Sequence, residues 1–209
     1  NNAVLLKEAI AKPYGMVLIT GPTGSGKTTT LYALMQILNK DSVNVVSLED
    51  PVEYSIEGVN QSQVKPEIGY DFANGLREIL RQDPDVIMGG EIRDGETASL
   101  AVHAALTGHI VLTTLHTNNA VTAVPRLMDL GVQPFLLPSS LNIMAAQRLV
   151  AELCRDCRKA TPAPVSMVAM IKKELIKLPA NLQTKYKEPY KIYHAEGCPT
   201  CNHKGIIGR

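Results

Sequence analysis

The chain has no tryptophan and two phenylalanines among 209 residues, and aromatic content is 4%. It has no excess of either charge: 21 basic against 20 acidic side chains leave a formal +1. Proteins that track nucleic acid use a basic groove interleaved with stacking rings. Neither half of that pattern is present, which speaks against a nucleic-acid translocase. No apolar run approaches the roughly 18 to 20 residues that a membrane-spanning helix needs. No secretory apolar segment follows the N-terminus, and internal repeats and low-complexity tracts are missing. A cytoplasmic setting is expected.

Apolar content of 45% and charged content of 20% suit a packed chain. The length allows one α/β domain and a small appendage. Apolar runs 16–20, 44–48, 86–88 and 109–115 read as buried strands. Between them, helical spacing is expected over 4–11, 29–40, 71–82 and 94–106, with Asp94 as an N-cap. Residues 55–70 read as a loop or hairpin. Two more helices are expected over 119–130 and 134–149, kinked or divided by Pro125 and Pro138. Strands alternating with helices predict a mostly parallel sheet covered on both faces. Composition changes near Val150, which places an expected boundary between a core at 1–150 and a small unit at 151–209. Within the latter, Val165, Val168, Ile171, Leu175 and Leu178 mark an amphipathic helix around 166–177.

Gly21-Pro22-Thr23-Gly24-Ser25-Gly26-Lys27-Thr28 is the strongest motif. It follows an apolar strand and opens a helix, the context that a phosphate-cradling Walker A loop requires. Glycines let backbone N–H groups turn toward phosphate oxygens. Lys27 can reach the β- and γ-phosphates of ATP or ADP, and the Thr28 hydroxyl can ligate Mg²⁺. The helix N-terminus favours the anion.

Hydrolysis needs a placed water, a metal and a carboxylate. Glu49 and Glu91 lie at strand ends, facing the crevice where open parallel sheets bind ligands. Gly90 stands where a Walker B strand ordinarily carries its acid. Glu49 is assigned to the water and Glu91 to the Mg²⁺ side; a helix cap or surface acid is the plain alternative for each. His116, at the end of its strand, could sense the terminal phosphate, whereas His109 fits a structural contact. Arg77 and Arg81 share a helix face, and Arg93 follows Glu91. Each could neutralise phosphoryl charge or form a surface ion pair.

Cys154-x-x-Cys157 and Cys198-x-x-Cys201 are two knuckles separated by forty residues. Four thiolates make a closed structural Zn²⁺ site. Disulfides and a redox pair are the alternatives; the first is disfavoured in a cytoplasmic chain, the second by the missing βαβ context.

With these residues in hand, the chain resembles the secretion ATPase superfamily, nearest the branch serving type II secretion and type IV pilus assembly. TGPTGSGKTTTLY at 20–32, LEDPVEY at 48–54, LREILRQDPDVIMGGEIRD at 76–94 and ALTGHIVLTTLHTN at 105–118 carry the resemblance. LMDLGVQPFLLPSSL at 127–141, AQRLV at 146–150 and the four cysteines extend it. The resemblance implies a RecA-like P-loop NTPase core with a small zinc-binding C-terminal subdomain. It makes Gly90-Glu91 a family trait and Gly89 a departure from an apolar residue. It further implies a homohexamer whose ATP cycle drives an inner-membrane platform protein and assembles pilin-like subunits. Retraction members of the family generally lack the cysteine unit, so assembly is the expected direction. Family members also carry a preceding domain that supplies nucleotide contacts, so a core fragment with weak ATPase activity in isolation is expected.

Overall fold

A computed structural model describes residues 2–209. The chain divides into two compact units, one running to Arg148 and the other spanning Leu149–Arg209.

The first unit begins with helix α1 (Asn2–Ile10), strand β1 (Gly15–Thr20) and helix α2 (Lys27–Leu38). Strands β2 (Val45–Glu49) and β3 (Asn60–Gln63) follow, then helix α3 (Phe72–Ile79), which passes through a 3₁₀ turn to Gln82. Next come β4 (Val86–Gly89), α4 (Gly95–Leu106), β5 (Ile110–Leu115), α5 (Ala123–Asp129), α6 (Leu137–Ser140) and β6 (Leu141–Ala146).

The six strands form one sheet in the order β3-β2-β4-β5-β1-β6, and every neighbouring pair is parallel. All residues of β1, β2 and β5 are buried, as expected when helices cover both faces of a parallel sheet. Alternation within a strand divides the core. Met16 and Leu18 join Leu48, Ile87, Val111 and the α3–α6 side; Val17 and Ile19 join Met88, Leu112 and the α1/α2 side. Two side-chain caps set helix starts, the expected one at Asp94 and a second at Asp71. Asp71 Oδ1 accepts from Asn74 N and Asp94 Oδ1 from Thr97 N, each at 2.8 Å.

Three local expectations are corrected. Residues 55–70 contain a parallel edge strand, β3, whose Asn-Gln-Ser-Gln sequence has no apolar alternation. Polar side chains suit a strand with one open edge, and they hide it from a hydrophobicity reading. The expected helix at 119–130 shrinks to α5, because Asn119 Oδ1 accepts from Thr122 N at 2.9 Å and holds a turn there. Pro125 then falls in the first helical turn, where no intrahelical N–H is needed, and kinks nothing. The expected helix at 134–149 is a 3₁₀ turn (Pro134–Leu136), the single turn α6, and the strand β6. The open edge of β1 offers a ladder to residues 141–146. Asn142 Nδ2 adds hydrogen bonds to Tyr14 O (2.8 Å) and Ala9 O (3.2 Å). Tertiary pairing overrides the helical spacing.

The second unit holds two small antiparallel pairs. Strand β7 (Glu152–Leu153) pairs with β10 (Ile206–Gly208), and β8 (Arg158–Pro162) with β9 (Lys191–Ala195). Helices α7 (Val165–Leu175) and α8 (Ala180–Gln183) lie between β8 and β9 in sequence. Among the described residues, the buried side chains of this unit are Cys154 and Cys201.

Candidate nucleotide site and cysteine cluster

The loop 21–26 leaves the C-terminal end of β1 and turns into α2. Gly26 caps α2 in the left-handed region (φ 81°), and no side chain caps the helix. The N–H groups of its first turn are therefore left to an anion or solvent. Gly21 has φ +144°, and a Cβ on it would lie 2.3 Å from Gln147 O and 2.8 Å from Ser25 Oγ. Gln147 follows β6 and braces the loop. Its backbone N–H donates to Thr20 O at 2.8 Å, and its side chain accepts from Thr30 Oγ1 (2.8 Å) and donates to Gly26 O (3.2 Å).

Lys27 Nζ donates to Gly21 O (3.0 Å) and Pro22 O (3.2 Å). Partial burial lowers its pKa, and the charge of Glu91 works in the opposite direction. Among the described residues, the buried Ser25 hydroxyl has no hydrogen-bond partner. An unsatisfied buried hydroxyl and a lysine folded onto loop carbonyls, at a helix start without a side-chain cap, fit a polyphosphate. Thr28, at the start of α2, adds a hydroxyl of the kind that ligates Mg²⁺.

Topology puts the acids beside this loop. Strand β5 separates β1 from β4, so the end of β4 lies about 10 Å across the sheet from β1, and the end of β2 about 14 Å. Glu91 follows β4 on a segment held by Thr114: its Oγ1 donates to Gly90 O (2.8 Å), and its carbonyl accepts from Ile92 N (2.9 Å). The Glu91 side chain is 11% exposed. Its Oε2 lies 2.7 Å from His116 Nε2, and its Oε1 accepts from Arg93 Nε. Arg93 also faces Asp50 at 3.6 Å, tying the segment after β4 to the one after β2.

Glu49 is 2% exposed. Its Oε1 accepts from Ser47 Oγ (2.5 Å) and Gln61 Nε2 (3.1 Å), and its Oε2 accepts from Tyr32 Oη. Burial, reinforced by this bond, pushes the Tyr32 phenol up to about 12. The fold thus gathers Lys27, Glu91 and His116 into one neighbourhood and gives Glu49 a separate buried network. Arg77 pairs with Glu96, and Arg81 with Glu78 (3.2 Å), on the α3 side; within this chain these pairs engage neither acid of the crevice. His109 sits at the opposite end of β5, its Nδ1 2.9 Å from Ala104 O. Sequence reading missed Tyr32, Ser47, Gln61 and Gln147, whose partners all come through the fold. The position of Tyr32 one turn beyond Thr28 is the one local clue.

In the second unit the four cysteine Sγ atoms all lie within 4.8 Å of one another, and all four thiols are free. Cys154–Cys198 and Cys198–Cys201 are 3.8 Å apart, and Cys157–Cys201 3.9 Å. A tetrahedron with metal–sulfur bonds of about 2.3 Å has sulfur–sulfur edges of about 3.8 Å. The donor set fits a closed tetrahedral metal site. Cys198 N and Gly205 N each donate to Cys201 Sγ at 3.2 Å. Backbone donation from Cys198 is the main cause that brings the Cys201 thiol down to about 6, whereas burial is the main cause that pushes its neighbour Cys157 up to about 12, so the metal-free cluster shares its protons unevenly.

Fold and site together define a P-loop nucleotide-binding core: a parallel sheet, a phosphate loop after β1 and acids at neighbouring strand ends. Comparison with known proteins makes this specific. The family model described as Type II/IV secretion system protein matches residues 1–209, and the chain belongs to that family. It is 54% identical over 203 residues to the type II secretion system ATPase E of Vibrio cholerae serotype O1, covering 97% of this chain and 38% of that protein. It is 50% identical over 203 residues to the type IV pilus assembly ATPase PilB of Myxococcus xanthus, covering 97% of this chain and 34% of that protein. The chain therefore spans little more than a third of these relatives. A solved structure of the pilus retraction motor PilT with bound ADP superposes with a TM-score of 0.66 and 40% identity, over 72% of this chain and 46% of that one. Among the described residues no helix is long and apolar enough to cross a membrane.

Proposed function

We propose that this chain is the ATP-hydrolysing core of a motor that assembles pilin or pseudopilin subunits. The observation that carries the reading is the loop after β1, where Lys27 folds onto Gly21 O and Pro22 O beside a helix start without a side-chain cap and feels the charge of Glu91. Relatives named as secretion and pilus-assembly ATPases at 54% and 50% identity support it.

In this reading the loop amides and Lys27 bind the phosphates. Thr28 and Glu91 would hold Mg²⁺, which would offset charge on the terminal phosphates. Glu49 Oε2 orients the attacking water and takes its proton while the bond from the γ-phosphorus to the β,γ-bridging oxygen breaks. His116, bonded to Glu91, reports the occupancy of that side. Arg77 and Arg81 act across a subunit boundary, exchanging their ion pairs for a neighbour's nucleotide. The functional assembly is a homohexamer on the cytoplasmic face of the inner membrane, working on a platform protein there. The four cysteines hold a structural Zn²⁺, which supports assembly over retraction.

Calorimetric titration of the purified chain with ATP and ADP in Mg²⁺ is the first test. Steady-state phosphate release from Lys27→Ala, Glu49→Gln and Glu91→Gln is the second. Nucleotide affinity lost in the lysine variant, with turnover lost in both glutamine variants, is expected. Nucleotide binding with barely any hydrolysis in the wild type, and no further loss in either glutamine variant, would make the chain a nucleotide-gated scaffold instead.

A further inference from the structure

The Glu49 carboxylate is held by three elements at once. Ser47 belongs to its own strand, Gln61 to the edge strand β3, and Tyr32 to α2, the helix that starts at the phosphate loop. An ionised carboxylate offers about four lone-pair positions. Ser47 and Gln61 occupy both on Oε1, and Tyr32 takes one on Oε2. Among the described residues nothing takes the remaining position on Oε2, next to the phenol.

Tyr32 and Gln61 also fix the segment that covers this acid. Tyr32 Oη accepts from Glu53 N at 3.3 Å, and its ring meets Tyr54 edge-on with centroids 4.7 Å apart. Gln61 Nε2 donates to Tyr54 O (3.2 Å), while its Oε1 accepts from Ile56 N (2.7 Å). Tyr32 is 1% exposed, so water does not substitute for its bond to Glu49.

We propose that Tyr32 and Gln61 are positioning residues that aim the remaining Oε2 lone pair of Glu49 at the attacking water. This rests on the reading of Glu49 as the water-orienting acid. Because Tyr32 rides on α2, one rigid element both receives the phosphates and orients the acid. Its raised pKa keeps the phenol a donor at working pH.

The test is steady-state hydrolysis and calorimetric MgATP binding by Tyr32→Phe, Gln61→Ala, Glu49→Gln and the double variant Tyr32→Phe/Glu49→Gln. Phenylalanine keeps the ring packed on Tyr54 and removes one donor to a charged acceptor. That loss lowers kcat about tenfold to hundredfold, with KM and MgATP affinity within about twofold. Gln61→Ala lowers kcat in the same way, and the double variant is no slower than Glu49→Gln, since the two act as a unit. Wild-type kcat in Tyr32→Phe beside an inactive Glu49→Gln overturns the positioning role alone. So does a further loss in the double variant, or a rise in KM without a fall in kcat. Wild-type kcat in Glu49→Gln overturns the assignment of Glu49 and the positioning role with it.

Discussion

Replacing Cys198 by serine removes the sulfur that lies 3.8 Å from both Cys154 and Cys201, leaving three thiols around the site. The second unit has little else to hold it. Helix α7 buries none of its residues, and Val165, Met170 and Ile176 are 89%, 68% and 76% exposed. A structural Zn²⁺ contributes about 10–16 kcal/mol to the folding of such small units. Losing one thiolate ligand takes away most of that, more than two short strand pairs supply. Metal analysis is expected to fall from one Zn²⁺ per chain to near none in Cys198→Ser. Segment-resolved amide exchange reads the consequence: Arg158–Pro162 and Lys191–Ala195 lose protection, while Gly15–Thr20 and Ile110–Leu115, with all their residues buried, keep theirs. MgATP affinity is retained, because Lys27 and its loop belong to the first unit. Unchanged protection of β8 and β9 in the serine variant would refute the reasoning, since the unit would then be holding itself together without the metal.

Gly21→Ala forces a Cβ to 2.3 Å from Gln147 O, whereas Gly24→Ala, at φ +73°, meets nothing within 4 Å. Denaturant titration should show the first losing about 1–3 kcal/mol and much nucleotide affinity, and the second about 1–2 kcal/mol of backbone strain. Gly89→Ala places its Cβ no closer than 3.9 Å to Thr113 Oγ1, but Gly90→Ala approaches Phe72 at 3.3 Å and Leu48 O at 3.4 Å. Unfolding free energy should rise slightly for the first, by about 0.4–1 kcal/mol, and fall for the second. The Tyr32 phenol titrates at about 12 in the fold against 10.0 ordinarily, so the folded state holds its proton longer than the unfolded chain. Its contribution is complete below pH about 10 and is lost as pH rises toward about 12. Unfolding midpoints of the wild type should therefore fall more steeply over that window than those of Tyr32→Phe.

Much of the core was legible because its signals are local. Buried parallel strands read as continuous apolar runs, and Asp94 announces a helix start by residue type. Strands β3 and β6 were not legible. The first is polar because it lies at an edge, and the second has a spacing that also suits a helix until the free edge of β1 is available to pair. The same division runs through the site. Lys27 and Thr28 open the helix in a contiguous motif with the loop, Glu49 ends one readable strand and Glu91 closely follows another, so residue type and position pointed to them. Gln147, which braces the loop through Thr30 and Gly26 from more than a hundred residues away, carried no such mark.

By itself the amino-acid order determined the phosphate loop, the alternation of strands and helices, and the two cysteine knuckles. Each of these is written within a few consecutive residues, over which backbone geometry repeats. Folding alone decided that Tyr32, Ser47 and Gln61 converge on Glu49, that His116 and Arg93 flank Glu91, and that four thiols close into a tetrahedron. Those meetings depend on which strands lie side by side, and a parallel sheet sets that order through crossovers longer than any local pattern reaches.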